Sequence, residues 1–144
     1  MENEREVLLE VNHLNVTYGS GKKAYEAVQD ANFKIYKGET FGLVGESGSG
    51  KTTIGRAILR ILPTSGGEIL YKGRDLLKLS AKEMRDVRGE EISMIFQDPM
   101  TSLDPVKTVG NQIQEMIELH TDISSKEAWT RAEDMLEVVG IKRE

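Results

Sequence analysis

The sequence contains no cysteine, which excludes a disulfide framework and a thiolate metal site. It also lacks any run approaching the roughly 18 uninterrupted apolar residues of a membrane-spanning helix, so it predicts no span. Positive charge is not in excess either, since the formal net charge is −5. That balance argues against broad nucleic-acid binding through charge alone. Residues 1–6 are acidic and have no apolar signal core, which predicts that the chain stays on the cytoplasmic side.

The most informative segment that is present is a glycine-rich stretch in the first half of the chain. It fits the phosphate-binding pattern G-x-x-x-x-G-K-[ST] and consists of Gly45, Glu46, Ser47, Gly48, Ser49, Gly50, Lys51, Thr52 and Thr53. Residues 40–44 before it predict a short buried strand, and residues 52–62 after it predict a helix. A flexible glycine and serine linker is the alternative interpretation. The apolar residues on both sides of the stretch disfavour it.

A strand, a glycine loop and a helix in this order have a defined chemistry. Glycines allow the backbone N–H groups of such a loop to turn inward, and the helix N-terminus adds positive partial charge. Lys51 would then reach the β- and γ-phosphates as a point charge, and the Thr52 hydroxyl would ligate Mg²⁺. The stretch from Gly45 to Thr53 is therefore predicted to bind the phosphates of a nucleoside triphosphate.

Hydrophobic periodicity and turn signals predict the remaining elements. Strands are predicted at residues 7–18, 24–36, 66–71 and 91–96. The first two of these form an antiparallel β layer at the start of the chain. Helices are predicted after the capping boxes of Ser80 with Glu83 and Ser124 with Glu127, and over residues 109–119. Gly140 is the expected stop of the last helix.

Three separated segments resemble the ATP-binding subunits of ABC transporters: Val16-Thr17-Tyr18-Gly19, the stretch Gly45–Thr53, and Ile95-Phe96-Gln97-Asp98-Pro99. The resemblance implies an α/β fold of the P-loop NTPase type with a RecA-like core, and ATP and Mg²⁺ as cofactors. It implies that Tyr18 stacks on adenine and that Val28 lines the same base. It also implies catalytic roles for Lys51 and Gln97, with Gln97 touching Mg²⁺ and the attacking water. A phenol ring suits the first role because its face is flat and apolar, and an amide suits the last because it both donates and accepts.

The sequence resembles one branch of this family more closely than the family in general. Residues 55–58 and 92–105 look like the oligopeptide and dipeptide permease ATPases, a style of sequence that nickel and some glutathione importers share. On this basis the chain divides into an antiparallel β layer (1–40), a phosphate-loop core (41–98) and the start of a helical subdomain (99–144). The family's Ser-Gly-Gly-Gln signature, second acidic strand and switch histidine do not occur in the sequence. We therefore expect an incomplete domain, the N-terminal part of one ATPase domain, with hydrolysis near background by itself.

The resemblance also implies partners and a location. It implies transmembrane permease subunits and a second ATPase subunit, homologous or identical, at the cytoplasmic face of the cell membrane, with no nucleic acid. The implied function is ATP-driven import of oligopeptides or dipeptides. An alternative is a nucleotide-binding module of a non-transport ABC-type ATPase, as in DNA repair or chromosome organisation. The acidic composition and the lack of a heptad run between Ile58 and Glu91 favour the transporter, and the lack of an Asn-Lys-x-Asp segment disfavours a GTPase.

Overall fold

The computed structural model of the chain describes residues 5–98 and 102–141. The chain folds into two compact units, one that ends at Ile92 and one that begins at Ser93. Pro99, Met100 and Thr101, which belong to the family-like segment, lie outside the described residues. Among the described helices, none combines the length and the apolar character that crossing a membrane requires.

The first unit is built on a four-stranded antiparallel sheet. Its strands are β1 (Val7–Tyr18), β2 (Tyr25–Tyr36), β3 (Gly66–Tyr71) and β4 (Arg74–Asp75). The spatial order is β2-β1-β3-β4, so the long first strand lies inside the sheet. Apolar and polar residues alternate along β1, and this alternation buries Leu9, Val11, Leu14 and Val16. The predicted antiparallel β layer is therefore confirmed, and the third predicted strand joins it.

An irregularity in the pairing of β1 with β2 accounts for the histidine in the first strand. The register shifts between Val11 and Leu14, and both His13 and Asp30 adopt positive φ there. The His13 Nδ1 atom lies 2.6 Å from the Asp30 Oδ1 atom. The hydrogen bond from His13, followed by that from Asn32, lowers the pKa of the Asp30 carboxyl below its ordinary value. His13 is thus an exposed strand residue with a satisfied partner.

The first helix, α1 (Lys51–Ile58), is shorter than the predicted helix over 52–62. It ends because Arg60 adopts the left-handed conformation, with φ 50°. The Arg60 N–H donates to the Ala57 carbonyl at 2.9 Å, and the Ile61 N–H donates to the Arg56 carbonyl at 2.9 Å. This pair of bonds is the Schellman arrangement that usually has glycine at the left-handed position. An arginine there gave no stop signal, so the prediction extended the helix to the residue before Pro63.

Arginine side chains tie the end of α1 to the segments that follow. Arg60 Nη1 donates to the carbonyls of Leu76 and Leu79, at 3.1 Å and 2.7 Å. Arg88 Nε donates to the Leu59 carbonyl at 2.7 Å, and its Nη2 donates to the Arg60 carbonyl at 2.9 Å. Cations at this position complement the negative end of a helix. The carboxyl end of α1 is therefore held by charged hydrogen bonds.

Arg88 itself follows the second helix, α2 (Ala81–Asp86), which starts at the predicted capping box. The Ser80 Oγ atom accepts from the Glu83 N–H, and the Glu83 carboxylate accepts from the Ser80 N–H at 2.8 Å. A π-helical segment, Val87–Glu91, continues from the helix. Within the segment, Arg88 and Gly89 leave helical geometry, which turns the chain back.

Two predicted strands are wrong. Residues 40–44 and residues 93–96 form no strand, and only Ile92 makes an isolated bridge, with Arg88. Val44 is 89% exposed and Ile95 is 96% exposed, so neither segment is buried. The physical reason is that a strand is stabilised by its neighbours, and no described strand pairs with either segment. An apolar run in the sequence does not indicate whether a neighbouring strand is present to pair with it.

The second unit contains the two predicted closing helices, α3 (Val109–His120) and α4 (Ser125–Val138). Thr108 caps α3, and the Ser124 capping box opens α4 as predicted. Gly140, with φ 85°, ends α4 at the predicted position, where the N–H groups of Gly140 and Ile141 bond back to the last turn. The described residues that are fully buried in this unit are Ala128 and Ala132.

Candidate functional site

The glycine-rich stretch lies between β2 and α1, and its approach is fixed by an aromatic contact. The Phe41 ring stacks on the Phe33 ring of β2, with centroids 5.2 Å apart and an interplanar angle of 14°. Before it, the Glu39 carboxylate accepts from the Tyr36 N–H at 2.8 Å and closes the turn after β2. The segment before the stretch is therefore attached to the sheet through side chains, although it is not itself a strand.

Within the stretch, the backbone curls and then enters α1. Gly48 and Gly50 have φ of 82° and 89°, in the left-handed region that glycine adopts without strain. Gly50 is also buried against the sheet, because a Cβ atom placed on it would lie 2.6 Å from the Ala27 carbonyl oxygen. Ala27 is the extra residue of a bulge, since Val16 pairs with Val28 and Thr17 with Glu26. Only glycine fits at residue 50 without displacing this carbonyl.

The Lys51 side chain folds back onto the glycine loop. Its Nζ atom donates to the Gly45 carbonyl at 2.7 Å, to the Glu46 carbonyl at 2.6 Å and to the Ser49 hydroxyl at 3.2 Å. These oxygen acceptors hold the ammonium group against the loop. A cation held in this position can form charged hydrogen bonds with an anion that the loop takes up. The predicted lysine and the predicted loop are therefore assembled together.

The amino end of α1 suits an anion. The first-turn N–H groups of a helix have no intrahelical acceptor, and the N-cap, Gly50, has no side chain with which to cap them. The first turn contains no acidic residue that would compete with an anion. Thr52, in this turn, is exposed. Its hydroxyl is the type of oxygen that can serve as one of the few protein ligands of Mg²⁺, so the residues present fit that ion.

Tyr18 and Val28 both lie next to the loop. The Tyr18 side chain is 40% exposed, and its hydroxyl oxygen lies 3.3 Å from the Thr53 hydroxyl oxygen. Val28 is only 6% exposed and packs in the core, and its Cγ2 atom lies beside the position that a Gly50 Cβ would take. The structure thus brings both residues to the stretch Gly45–Thr53. Contact of either side chain with a base stays a prediction.

Gln97 belongs to the second unit. It lies in an exposed, irregular segment, next to Asp98. Its role beside Mg²⁺ stays a prediction. Within the described residues, no group of histidine, aspartate and glutamate side chains is arranged to hold a metal ion. The candidate site that the structure assembles is therefore the loop, Lys51, the start of α1 and Tyr18.

Sequence reasoning missed one contributor to this site and one neighbour of Tyr18. One is the Ala27 carbonyl, which shapes the loop through a bulge that leaves no pattern in the sequence. The other is Tyr25, which pairs with Tyr18 across the two strands and is 61% exposed. A signal for Tyr25 existed, because the two tyrosines flank the short turn between β1 and β2 and a hairpin brings such residues opposite each other.

Comparison with known proteins identifies the family. A family model described as "ABC transporter" matches residues 28–144. The chain belongs to the ABC transporter family. It is 48% identical over 139 residues to the oligopeptide transport ATP-binding protein OppD of Bacillus subtilis, covering 93% of this chain and 39% of that protein. It is 45% identical over 141 residues to the dipeptide transport ATP-binding protein DppD of Bacillus subtilis, covering 94% of this chain and 42% of that protein. The chain thus spans about two fifths of the length of these relatives.

Solved structures of ABC cassettes share the fold. The dimeric, post-hydrolysis ATP-binding cassette MJ0796, bound to ADP and Pi, matches with a TM-score of 0.79 and 24% identity, over 90% of this chain and 56% of that one. The cbiO1 protein from Clostridium perfringens, part of the ABC transporter complex cbiONQ, matches with a TM-score of 0.71 and 27% identity, over 94% of this chain and 51% of that one. The predicted α/β fold class, a partial ABC ATPase domain, is confirmed.

Proposed function

We propose that this chain binds Mg-ATP as part of the energy-coupling subunit of an ABC importer for oligopeptides or dipeptides. The observation that carries the proposal is the placement of Lys51, whose ammonium group lies within 2.6–3.2 Å of three oxygen acceptors of the glycine loop. A triphosphate offers oxygen acceptors of higher charge. Lys51 would exchange its carbonyl partners for them, and the first-turn amides of α1 would donate to the same groups.

The remaining predicted residues have complementary roles in this proposal. The Thr52 hydroxyl and the Gln97 amide would hold Mg²⁺, which supplies electrostatic neutralisation of the phosphate oxygens when it is bound. Gln97 would also orient the attacking water. Tyr18 would stack on adenine, with Val28 supporting the same base from the core. The glycines, Glu46, Ser47, Ser49 and Thr53 would line the phosphates as loop residues.

Transport of peptides is the proposed role of the whole protein. It is supported by relatives that are 43–48% identical and are named for oligopeptide, dipeptide or peptide transport. The proposed partners are membrane permease subunits and a second ATPase subunit. The proposed location is the cytoplasmic face of the membrane, where ATP is available. ATP binding and hydrolysis would supply the energy for translocation.

Calorimetry with Mg-ATP tests the nucleotide site. Lys51→Ala is expected to weaken binding by roughly tenfold to a hundredfold, because a charged hydrogen bond contributes about 1.5–3 kcal/mol. Lys82→Ala is the matched control, since Lys82 is an exposed lysine of α2 in the same unit. It is expected to bind Mg-ATP like the unmodified chain. Equal affinity of both variants, or silence of the unmodified folded chain, would contradict the proposal.

The same variant tests the role in transport. Cells in which the gene carries Lys51→Ala are expected to lose uptake of labelled dipeptides and oligopeptides, whereas cells with Lys82→Ala are expected to keep it. Normal peptide uptake in the Lys51→Ala cells, together with weakened ATP binding by the purified variant, would retain the nucleotide site and remove the peptide-import role.

A further inference from the structure

Two tyrosines face each other on β1 and β2, at the end of the hairpin beyond the buried core. Val16 and Val28 are the last buried pair along these strands. Beyond them Tyr18 is paired directly with Tyr25. Residues two apart on a strand share a face, and residues directly opposite on antiparallel strands share a face as well. Tyr25 therefore lies on the same side of the sheet as Tyr18 and Val16, the side on which α1 packs.

The first turn of α1 adjoins this pair. The Tyr18 hydroxyl lies 3.3 Å from the Thr53 hydroxyl, two residues after the lysine of the glycine loop. Tyr25 is 61% exposed and Tyr18 is 40% exposed, so both rings reach solvent at the edge of the loop. Within the described residues, the aromatic stacking that occurs is between Phe33 and Phe41, and neither tyrosine takes part in it. Both tyrosines are thus partly exposed to solvent, and neither is stacked on another aromatic ring of the described residues.

We infer that Tyr25 is a second base-contacting residue, which forms with Tyr18 a two-ring platform for the nucleobase of the bound nucleotide. The inference rests on the proposed function, because it takes the glycine loop to hold the phosphates. Stacking on an aromatic ring is available to every base, since each base has a π-face. The platform therefore strengthens binding of any nucleoside triphosphate and does not choose adenine over guanine. Inorganic tripolyphosphate has no base, so it gains nothing from the platform.

This difference between ligands gives the test. The dissociation constants of Mg-ATP, Mg-GTP and magnesium tripolyphosphate are measured for the unmodified chain and for Tyr25→Ala. Tyr25→Ala is expected to weaken ATP and GTP by about 5- to 30-fold, in the range of a lost base–aromatic stack. Its affinity for tripolyphosphate is expected to stay within about twofold of the unmodified value, because this ligand has no base that could stack on the ring.

Two further variants separate stacking from a change of structure. Tyr25→Phe keeps the ring face and is expected to bind ATP like the unmodified chain. Gln29 lies on the same strand, is exposed, and points to the opposite face from Val28. Gln29→Ala is therefore expected to leave the affinity for each ligand unchanged. Circular dichroism of each variant reports whether the hairpin is intact.

The results divide cleanly. Unchanged ATP affinity in Tyr25→Ala, or an equal loss for ATP and tripolyphosphate, would overturn the two-ring platform while leaving the phosphate site in place. A failure of Tyr25→Phe to bind ATP would also overturn it, because the ring face would then not be sufficient. If the unmodified chain shows no ATP binding that depends on Lys51, the proposed function falls and the platform falls with it.

Discussion

Gly50 is a residue on which the shape of the glycine loop depends directly. It has φ 89°, and a Cβ atom would lie 2.6 Å from the Ala27 carbonyl oxygen. Gly50→Ala would combine the strain of a left-handed alanine, about 1–2 kcal/mol, with an overpacked contact of about 1–3 kcal/mol. We expect the free energy of unfolding to fall by about 3 kcal/mol, as measured by urea denaturation in the absence of nucleotide.

Gly48 provides the matched control at the same scale. Its φ is 82°, close to that of Gly50, but a Cβ atom there would meet nothing within 4 Å. Gly48→Ala is expected to destabilise the fold by only about 1–2 kcal/mol, from the backbone alone. If the two alanine variants lost the same stability, the contact with Ala27 would have no energetic weight.

At the scale of elements, α1 is short and is held at both ends by its surroundings. An isolated helix of eight residues is not stable in water, because nucleation is unfavourable and few bonds follow it. Ile54 and Ala57 pack into the core, and Arg88 bonds the carbonyls of Leu59 and Arg60 at the carboxyl end. The helix whose amino end is proposed to bind the phosphates is therefore stabilised partly by a side chain that bonds at its carboxyl end.

Removing the Arg88 side chain tests this support. Arg88→Ala is expected to lower the free energy of unfolding by about 1–3 kcal/mol, because two carbonyls lose a charged donor. Arg85→Ala is the control, since Arg85 is an exposed arginine of α2 near in sequence, and it is expected to change stability by less than about 0.5 kcal/mol. Thermal or urea unfolding of both variants gives the comparison. A loss of stability in Arg85→Ala as large as that in Arg88→Ala would show that the effect is unspecific.

Elements whose cause is local were predictable from the sequence. The alternation in β1, the two capping boxes and the glycine after α4 are read from neighbouring residues, and the structure confirms each of them. The strands predicted at residues 40–44 and 91–96 were wrong because a strand depends on a partner elsewhere in the chain. Arg60 in the left-handed position was missed for a related reason, since its conformation is stabilised by carbonyls at residues 76 and 79.

The candidate site divides in the same way. The stretch Gly45–Thr53 could be predicted as a candidate site because the residues of its pattern are consecutive in the sequence. Tyr18 required the family resemblance, since one strand tyrosine has no distinguishing pattern. The Ala27 carbonyl could not be assigned without the register of β1 and β2, because a bulge in that register places it against Gly50. Spatial neighbours that are distant in sequence are what the structure adds.

At the scale of the whole molecule, the two units differ in how much apolar surface they bury. The first unit contains a core of large side chains, among them Leu14, Ile69 and Leu76, which are fully buried. In the described part of the second unit, the fully buried hydrophobic residues are Ala128 and Ala132. Burial of a leucine or isoleucine contributes about 1.5–3 kcal/mol, far more than burial of an alanine. The second unit should therefore open more readily.

Hydrogen exchange measured by mass spectrometry checks this difference. Peptides from β1 and β3 are expected to exchange much more slowly than peptides from α3 and α4, because local opening needs less free energy where few contacts are lost. Peptides from α2, which buries Met84 in the first unit, provide a helical reference. Equal protection of the two sets of helices would mean that the small core of the second unit does not limit its stability.

The contact between Gly50 and the Ala27 carbonyl has a consequence for protein engineering. Part of the shape of the nine residues from Gly45 to Thr53 depends on a bulge in a strand that comes earlier in the chain. Grafting these nine residues alone onto a new scaffold would leave Gly50 without the neighbouring Ala27 carbonyl. A transplant that keeps the curvature must carry the distorted hairpin as well.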